Sequence, residues 1–223
     1  MKNLVVAIDG PAGAGKSTVA QLAAKKLGCT YIDTGAMYRA VAWKALQQGQ
    51  PVTDELIVEI ARDIQVVLRY IDGKTTVAVD GVDVTGEIRT PEVTAIVSQV
   101  AALGPVRTKM VDLQRQMAES GSVLMDGRDI ATSVLPDANV KIFLTASIEE
   151  RARRRYREMQ AKGYAVELEE LQADIAARDK ADSERKISPL VQAPDAELLD
   201  TSCMSIDEAV QAVIDRCNSE KRR

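Results

Sequence analysis

Gly10-Pro11-Ala12-Gly13-Ala14-Gly15-Lys16-Ser17 fits the pattern G-x-x-x-x-G-K-[ST], a set of residue types suited to seizing a chain of phosphates. Small residues let successive backbone N–H groups converge on anionic oxygens. A helix N-terminus adds partial positive charge, and Lys16 adds a full one. Ser17 is placed to ligate Mg²⁺. A phosphate loop leaves the acceptor of any phosphoryl group open, because switch proteins, motors and small-molecule kinases all use one. Further motifs must choose among them.

Four supply chemistry. Asp33-Thr34-Gly35-Ala36-Met37-Tyr38-Arg39 sets a carboxylate, a hydroxyl, a phenol and a guanidinium after a short strand-like run, and Arg39 suits bidentate capture of a phosphate. Met125-Asp126-Gly127-Arg128-Asp129 follows another apolar run, with Asp126 where a strand-terminal carboxylate reaches Mg²⁺ or its waters. Arg178, Asp182 and Arg185 fall at i, i+4 and i+7, which predicts one helix face. Arg151, Arg153, Arg154, Arg155 and Arg157 crowd the start of a helix that runs to Gly163, as in a mobile lid whose guanidiniums close over a transferring phosphoryl group. Two phosphate-gripping clusters favour a kinase acting on a phosphate-bearing acceptor. Another metabolite kinase and a noncatalytic nucleotide-sensing module remain the alternatives.

These residues need a frame that brings strand ends together. Leu4 to Ile8 is an unbroken apolar run closed by Asp9-Gly10, as in a strand covered on both faces. Further strand-like segments at Thr30 to Asp33, Ser122 to Asp126, Val140 to Thr145 and Glu197 to Asp200 alternate with helical ones at Lys16 to Leu27, Glu149 to Lys162, Glu167 to Asp182 and Ile206 to Cys217. That alternation predicts an α/β fold with a five-stranded parallel sheet flanked by helices. Ile64 to Thr85 instead alternates in period two around Asp72-Gly73 and Asp80-Gly81, which predicts a small antiparallel insert. The polar segment Ser219 to Arg223 reads as a frayed tail.

Composition narrows the chemistry. The 223 residues contain no histidine, so imidazole catalysis and every triad that needs it are excluded. With 46% hydrophobic residues, a chain of this length makes one compact domain, burying about 70% of its extended surface. Lys and Arg number 29 against 33 Asp and Glu, a net charge of -4 that disfavours nucleic-acid binding. Apolar runs fall short of a membrane span and the N-terminus lacks signal-peptide character. Cys29, Cys203 and Cys217 match neither a zinc site nor a disulfide framework and read as reduced cytoplasmic thiols.

Taken together, Gly10 to Ser17, Asp33 to Arg39, Asp126-Gly127-Arg128-Asp129 and Ala177-Arg178-Asp179-Lys180-Ala181-Asp182-Ser183-Glu184-Arg185 closely resemble the bacterial cytidylate kinases, in order and spacing, from about Leu4 to Val213. The resemblance implies a P-loop kinase core with ATP and CMP or dCMP as substrates, Mg²⁺ as cofactor, and a cytoplasmic monomer that uses neither nucleic acid nor membrane. It implies ATP contacts from Gly10, Pro11, Ala12, Gly13, Ala14, Gly15, Lys16, Ser17 and Thr18. Ser98, Arg107 and Asp129 would read the cytosine edge. Arg39, Arg128 and Arg185 would hold the monophosphate, with Thr34 beside them, and Arg178, Asp182 and Tyr38 would meet the sugar. Lys16, Arg128, Arg185 and the lid residue Arg155 would stabilise the transferring group, with Ser17, Asp33 and Asp126 organising the metal. Residues 34–107 would form the monophosphate-binding insert and 150–166 the lid.

Overall fold

The computed structural model describes residues 3–221; Met1, Lys2 and the last two residues of the expected tail lie outside them. In chain order the elements are β1 (Val5–Asp9), α1 (Lys16–Leu27), β2 (Thr30–Asp33), α2 (Thr34–Leu46), α3 (Asp54–Asp63), β3 (Val66–Ile71), β4 (Lys74–Val79), β5 (Val82–Asp83), α4 (Pro91–Ala102), α5 (Gly104–Ala118), β6 (Val123–Gly127), β7 (Val140–Thr145), α6 (Ile148–Ala161), α7 (Leu168–Glu184), β8 (Glu197–Asp200) and α8 (Ile206–Lys221).

The expected five strands form one parallel sheet in the order β2-β6-β1-β7-β8. Its central strand is the apolar run from the sequence: Val6, Ala7 and Ile8 have no exposed surface, as a strand covered on both faces requires. Register aligns the carboxyl ends, with Asp33 opposite Asp126 across β2 and β6, and Asp9 opposite Gly127 across β1 and β6. Three motifs distant in sequence therefore end at one edge of the sheet.

The period-two segment forms the expected separate antiparallel sheet, β3-β4-β5. Both Asp-Gly pairs turn with positive φ at each residue, 53° and 78° at Asp72-Gly73 and 50° and 84° at Asp80-Gly81, the backbone that a two-residue hairpin requires. The sheet leans on the main one through Tyr70, whose ring meets Tyr31 edge-on at 5.8 Å and whose hydroxyl donates to Gln21 O at 3.1 Å.

Apolar packing is divided. One cluster joins α2 to α5 with the small sheet, around Met37, Ile57, Ile88 and Met110. A second joins α1 and α8 to β1 and β7, around Ile8, Ile142 and Leu144. A third, around Met125 and Ile130, fills the other face of the main sheet. The polar segment after Cys217 departs from expectation, because α8 continues through Lys221 and Ser219 Oγ donates back to Asp215 O at 2.9 Å. Buried Cys217 helps seat this last part of the helix on the second cluster.

Candidate functional site

The loop between β1 and α1 can turn only because Gly10 lacks a side chain. Its φ is +149°, and a Cβ there would sit 1.9 Å from Leu144 O on the neighbouring strand. No side chain caps α1, which leaves its first-turn N–H groups without a side-chain acceptor, as an anion-binding helix start requires. Lys16 is buried at the start of that helix, and its Nζ donates to Pro11 O at 2.7 Å. Burial, and after it repulsion from Arg128, holds the ammonium well below the usual lysine range.

Ser17 and Asp126 touch directly. Ser17 Oγ donates to Asp126 Oδ2 at 3.0 Å, while Tyr31 Oη donates to Oδ1 at 2.7 Å. Burial and the facing Asp33 push the Asp126 carboxyl up to about 6. Asp33 is engaged elsewhere: Oδ1 accepts from Ala36 N at 2.9 Å, capping α2, and Oδ2 accepts from Arg89 at 2.8 Å. Thr34 donates its hydroxyl to Asp126 O at 2.7 Å. A hydroxyl and two nearby carboxylates form the hard-oxygen set that suits Mg²⁺ completed by phosphate oxygens and water. Tyr31 and Arg89 were not singled out in the sequence. A strand tyrosine reads as core and Arg89 as surface until the fold brings them here.

Opposite the loop lies a concentration of guanidiniums. Arg39 donates to Thr94 Oγ1 at 2.8 Å, Arg128 Nε pairs with Asp182 Oδ2 at 2.9 Å, and Arg178 Nε is buried without a hydrogen-bond partner. Desolvation comes first in lowering Arg39 to about 10 and Arg178 to about 9, with mutual repulsion among Arg39, Arg128 and their neighbours adding to it. Arg39 and Arg178 stay charged at neutral pH. Their shared positive charge is short of counterions, which is the electrostatic condition of a phosphate site.

Beside them sits a smaller polar pocket. Asp129 is buried between two guanidiniums: Arg107 bonds its Oδ2, and Arg185 bonds its Oδ1 at 3.3 Å. Arg107 also lies over the Tyr38 ring, 5.6 Å from its centroid, so Tyr38 supports that guanidinium from below. The Tyr38 hydroxyl is buried beside Gln114, and burial pushes it up to about 12. Ser98, on α4, lines the same space.

Most of these groups border a single cleft of about 1390 Å³. Of the residues singled out in the sequence, Ala12 to Thr18, Asp33, Thr34, Tyr38, Arg39, Ser98, Arg107, Asp126, Arg128, Asp129, Arg155, Arg178, Asp182 and Arg185 line it, whereas Gly10 and Pro11 lie behind it.

Two expectations need correction. Arg185 is not on the helix face of Arg178 and Asp182, because α7 ends at Glu184 and Arg185 is extended, its Nε donating to Ser188 O at 2.6 Å. That turn swings the guanidinium toward Asp129. The arginine cluster of α6 is also not one lid surface. Arg151 is buried against Ala146 O and Ala12 O, and Arg154 donates to Ala14 O at 3.1 Å and Thr201 O at 2.6 Å. Both hold the phosphate loop, Arg151 from behind and Arg154 from the cleft side. Arg155, paired with Glu158 at 2.9 Å, and Arg157 line the cleft, while Arg153 is exposed.

A protein-family model described as cytidylate kinase matches residues 6–219. The cytidylate kinase of Limosilactobacillus reuteri is 57% identical over 214 residues, covering 95% of this chain and 94% of its own. The cytidylate kinase of Desulfitobacterium hafniense is 52% identical over 220 residues, covering 98% of this chain and 94% of its own. Among solved structures, an uncharacterized protein from Eubacterium ventriosum shares the fold at a TM-score of 0.55 and 15% identity, covering 98% of this chain and 99% of its own. With a family match over nearly its whole length and relatives above half identity, the chain belongs to the cytidylate kinase family.

Proposed function

We propose that this protein transfers the γ-phosphoryl group of ATP to CMP or dCMP, giving ADP and CDP or dCDP. The observation that carries the reading is a phosphate loop and a counterion-poor arginine cluster facing each other across one cleft. A noncatalytic sensor needs no second phosphate site. The acceptor oxygen is already ionised at neutral pH, so no strong base is required, in keeping with a chain that lacks histidine.

In this reading the N–H groups of Gly13 to Ser17 and Lys16 hold the triphosphate, and Lys16 exchanges Pro11 O for phosphate oxygens. Arg39, Arg128 and Arg185 aim the acceptor in line, with Thr34 at the floor, and Arg178 and Asp182 meet the sugar. Ser98, Arg107 and Asp129 read the base: a carboxylate accepts from the cytosine amine, and a hydroxyl and a guanidinium donate to its ring nitrogen and carbonyl. Ser17 and Asp126, with Asp33 nearby, would hold Mg²⁺, which neutralises developing charge on the transferring phosphates when bound. Residues 34–107 serve as the acceptor-binding insert. Residues 150–166 serve as the lid, with Arg155 reaching the phosphoryl group and closure excluding water. The protein acts as a cytoplasmic monomer, and neither nucleic acid nor membrane takes part.

The test is ADP formation across CMP, dCMP, UMP, AMP and GMP with Mg²⁺ and ATP. Preference for the two cytosine nucleotides is expected. Equal rates on a purine monophosphate, or ATP binding with no acceptor used, would overturn the assignment.

A further inference from the structure

Resting on the reading of the chain as a CMP kinase, we infer that Asp179 and Arg151 are positioning residues that fix the phosphate loop from the helix that carries the acceptor contacts. Asp179 Oδ1 accepts from Ala12 N at 3.0 Å, and Asp179 Oδ2 pairs with Arg151 at 2.5 Å. Arg151 in turn donates to Ala12 O at 2.9 Å and, through Nε, to Ala146 O at 2.9 Å. Both polar groups of residue Ala12 are therefore held by one ion pair, and its N–H is committed to a carboxylate rather than to a nucleotide. The pair reaches the loop from two elements, α6 and α7.

Packing agrees with the hydrogen bonds. A Cβ placed on Gly13 would lie 3.4 Å from Arg151 Cβ and 3.6 Å from Ile175 Cδ1, so α6 and α7 rest against the loop at the next residue. The Arg151 side chain is 8% exposed and the Asp179 side chain 20%, which shields the pair from solvent screening. Asp179 also lies between Arg178 and Asp182 in sequence, within one turn of both. The element that presents those two acceptor-site groups thus also sets the conformation of the donor loop. Donor and acceptor phosphates must align within a fraction of an ångström, and this clamp fixes one relative to the other.

Asp179→Asn keeps an oxygen for the Ala12 N–H and loses the charge facing Arg151; Asp179→Ala loses both. Steady-state kinetics with ATP and CMP should show kcat reduced by roughly 10- to 100-fold in the Ala variant, the scale of a misplacement of about 1 Å, and by less in the Asn variant. KM for CMP should stay within about threefold, a split that follows when alignment rather than ground-state binding is lost. Amide hydrogen exchange should show Ala12 losing protection while Val6 to Ile8 keep theirs. Unchanged kcat in Asp179→Ala, or exchange rising equally through Val6 to Ile8, would overturn the clamp; if the Ala variant does not fold, the same readings on Asp179→Asn decide. Wild-type protein that transfers nothing to CMP, while Ala12 exchange still follows Asp179, would instead overturn the acceptor assignment and leave the contact standing.

Discussion

Asp129→Asn separates base reading from structural support. The Asp129 side chain is 6% exposed and faces Arg107 and Arg185, themselves 4% and 5% exposed. The amide keeps nearly the same shape but leaves two buried guanidiniums without their shared countercharge. Breaking a buried ion pair costs about 3–5 kcal/mol, and at roughly 2–4 °C per kcal/mol for a chain of this length, thermal unfolding should fall by at least about 6 °C. Specificity should change independently of that loss. A hydrogen bond from the cytosine amine to a carboxylate contributes about 1.5–3 kcal/mol, so the ratio of kcat/KM for CMP over UMP should fall by roughly 10- to 100-fold, helped by an amide that donates to the uracil carbonyl. A coupled ADP assay run on both nucleotides well below the variant's unfolding temperature reads this directly. A lower unfolding temperature with an unchanged CMP-to-UMP ratio would refute the base-reading role and leave Asp129 as a counterion alone.

Three further outcomes are expected. Lys16→Ala should lower kcat on the order of 10²- to 10³-fold with little change in melting temperature, since burial, and after it Arg128 and Arg178, already disfavour the ammonium; near-normal turnover would count against its role. Gly10→Ala should destabilise the fold by about 3 kcal/mol or more in urea unfolding, because the added methyl meets Leu144 O, and a native midpoint would contradict the close approach. Asp9 is held up to about 6 by burial, despite accepting from Ile130 N and Ala131 N at 2.8 Å each. Its folded value lies above the unfolded 3.8, so its contribution to stability is largest below about pH 4 and is lost as pH rises to about 6. Relative to wild type, Asp9→Asn should therefore gain roughly 2 kcal/mol between pH 4 and pH 7 in paired unfolding titrations, whereas parallel curves would refute it.

Local signals carried most of the architecture. The run at Val6 to Ile8, the Asp-Gly turns and the helix starting at Lys16 each declare themselves within a few residues, and so do the motifs at the strand ends. What the sequence concealed depends on partners far along the chain. Arg151 and Arg154 look like neighbours of Arg155, yet the first two are drawn inward by carbonyls of Ala12 and Ala14, some 140 positions earlier. Helical spacing placed Arg185 with Arg178 and Asp182, but the chain leaves the helix one residue too soon, and Ser188, with φ at 48°, completes the turn. Tyr31 follows the apolar pattern of its strand, and only the pairing of β2 with β6 reveals its hydroxyl against Asp126.

The division of the apolar interior has a mechanical consequence. Oily side chains knit each cluster internally, and Leu68, Met117 and the Tyr31–Tyr70 contact join one to the next behind the cleft, whereas at the cleft itself the contacts are ionic tips such as Arg128 with Asp182 and Arg89 with Asp33. The apolar joints thus lie behind the cleft and the charged ones at its mouth, where nucleotides would lodge. Polyanions bound there would bridge guanidiniums from separate elements, adding ties at the mouth to the apolar joints behind it.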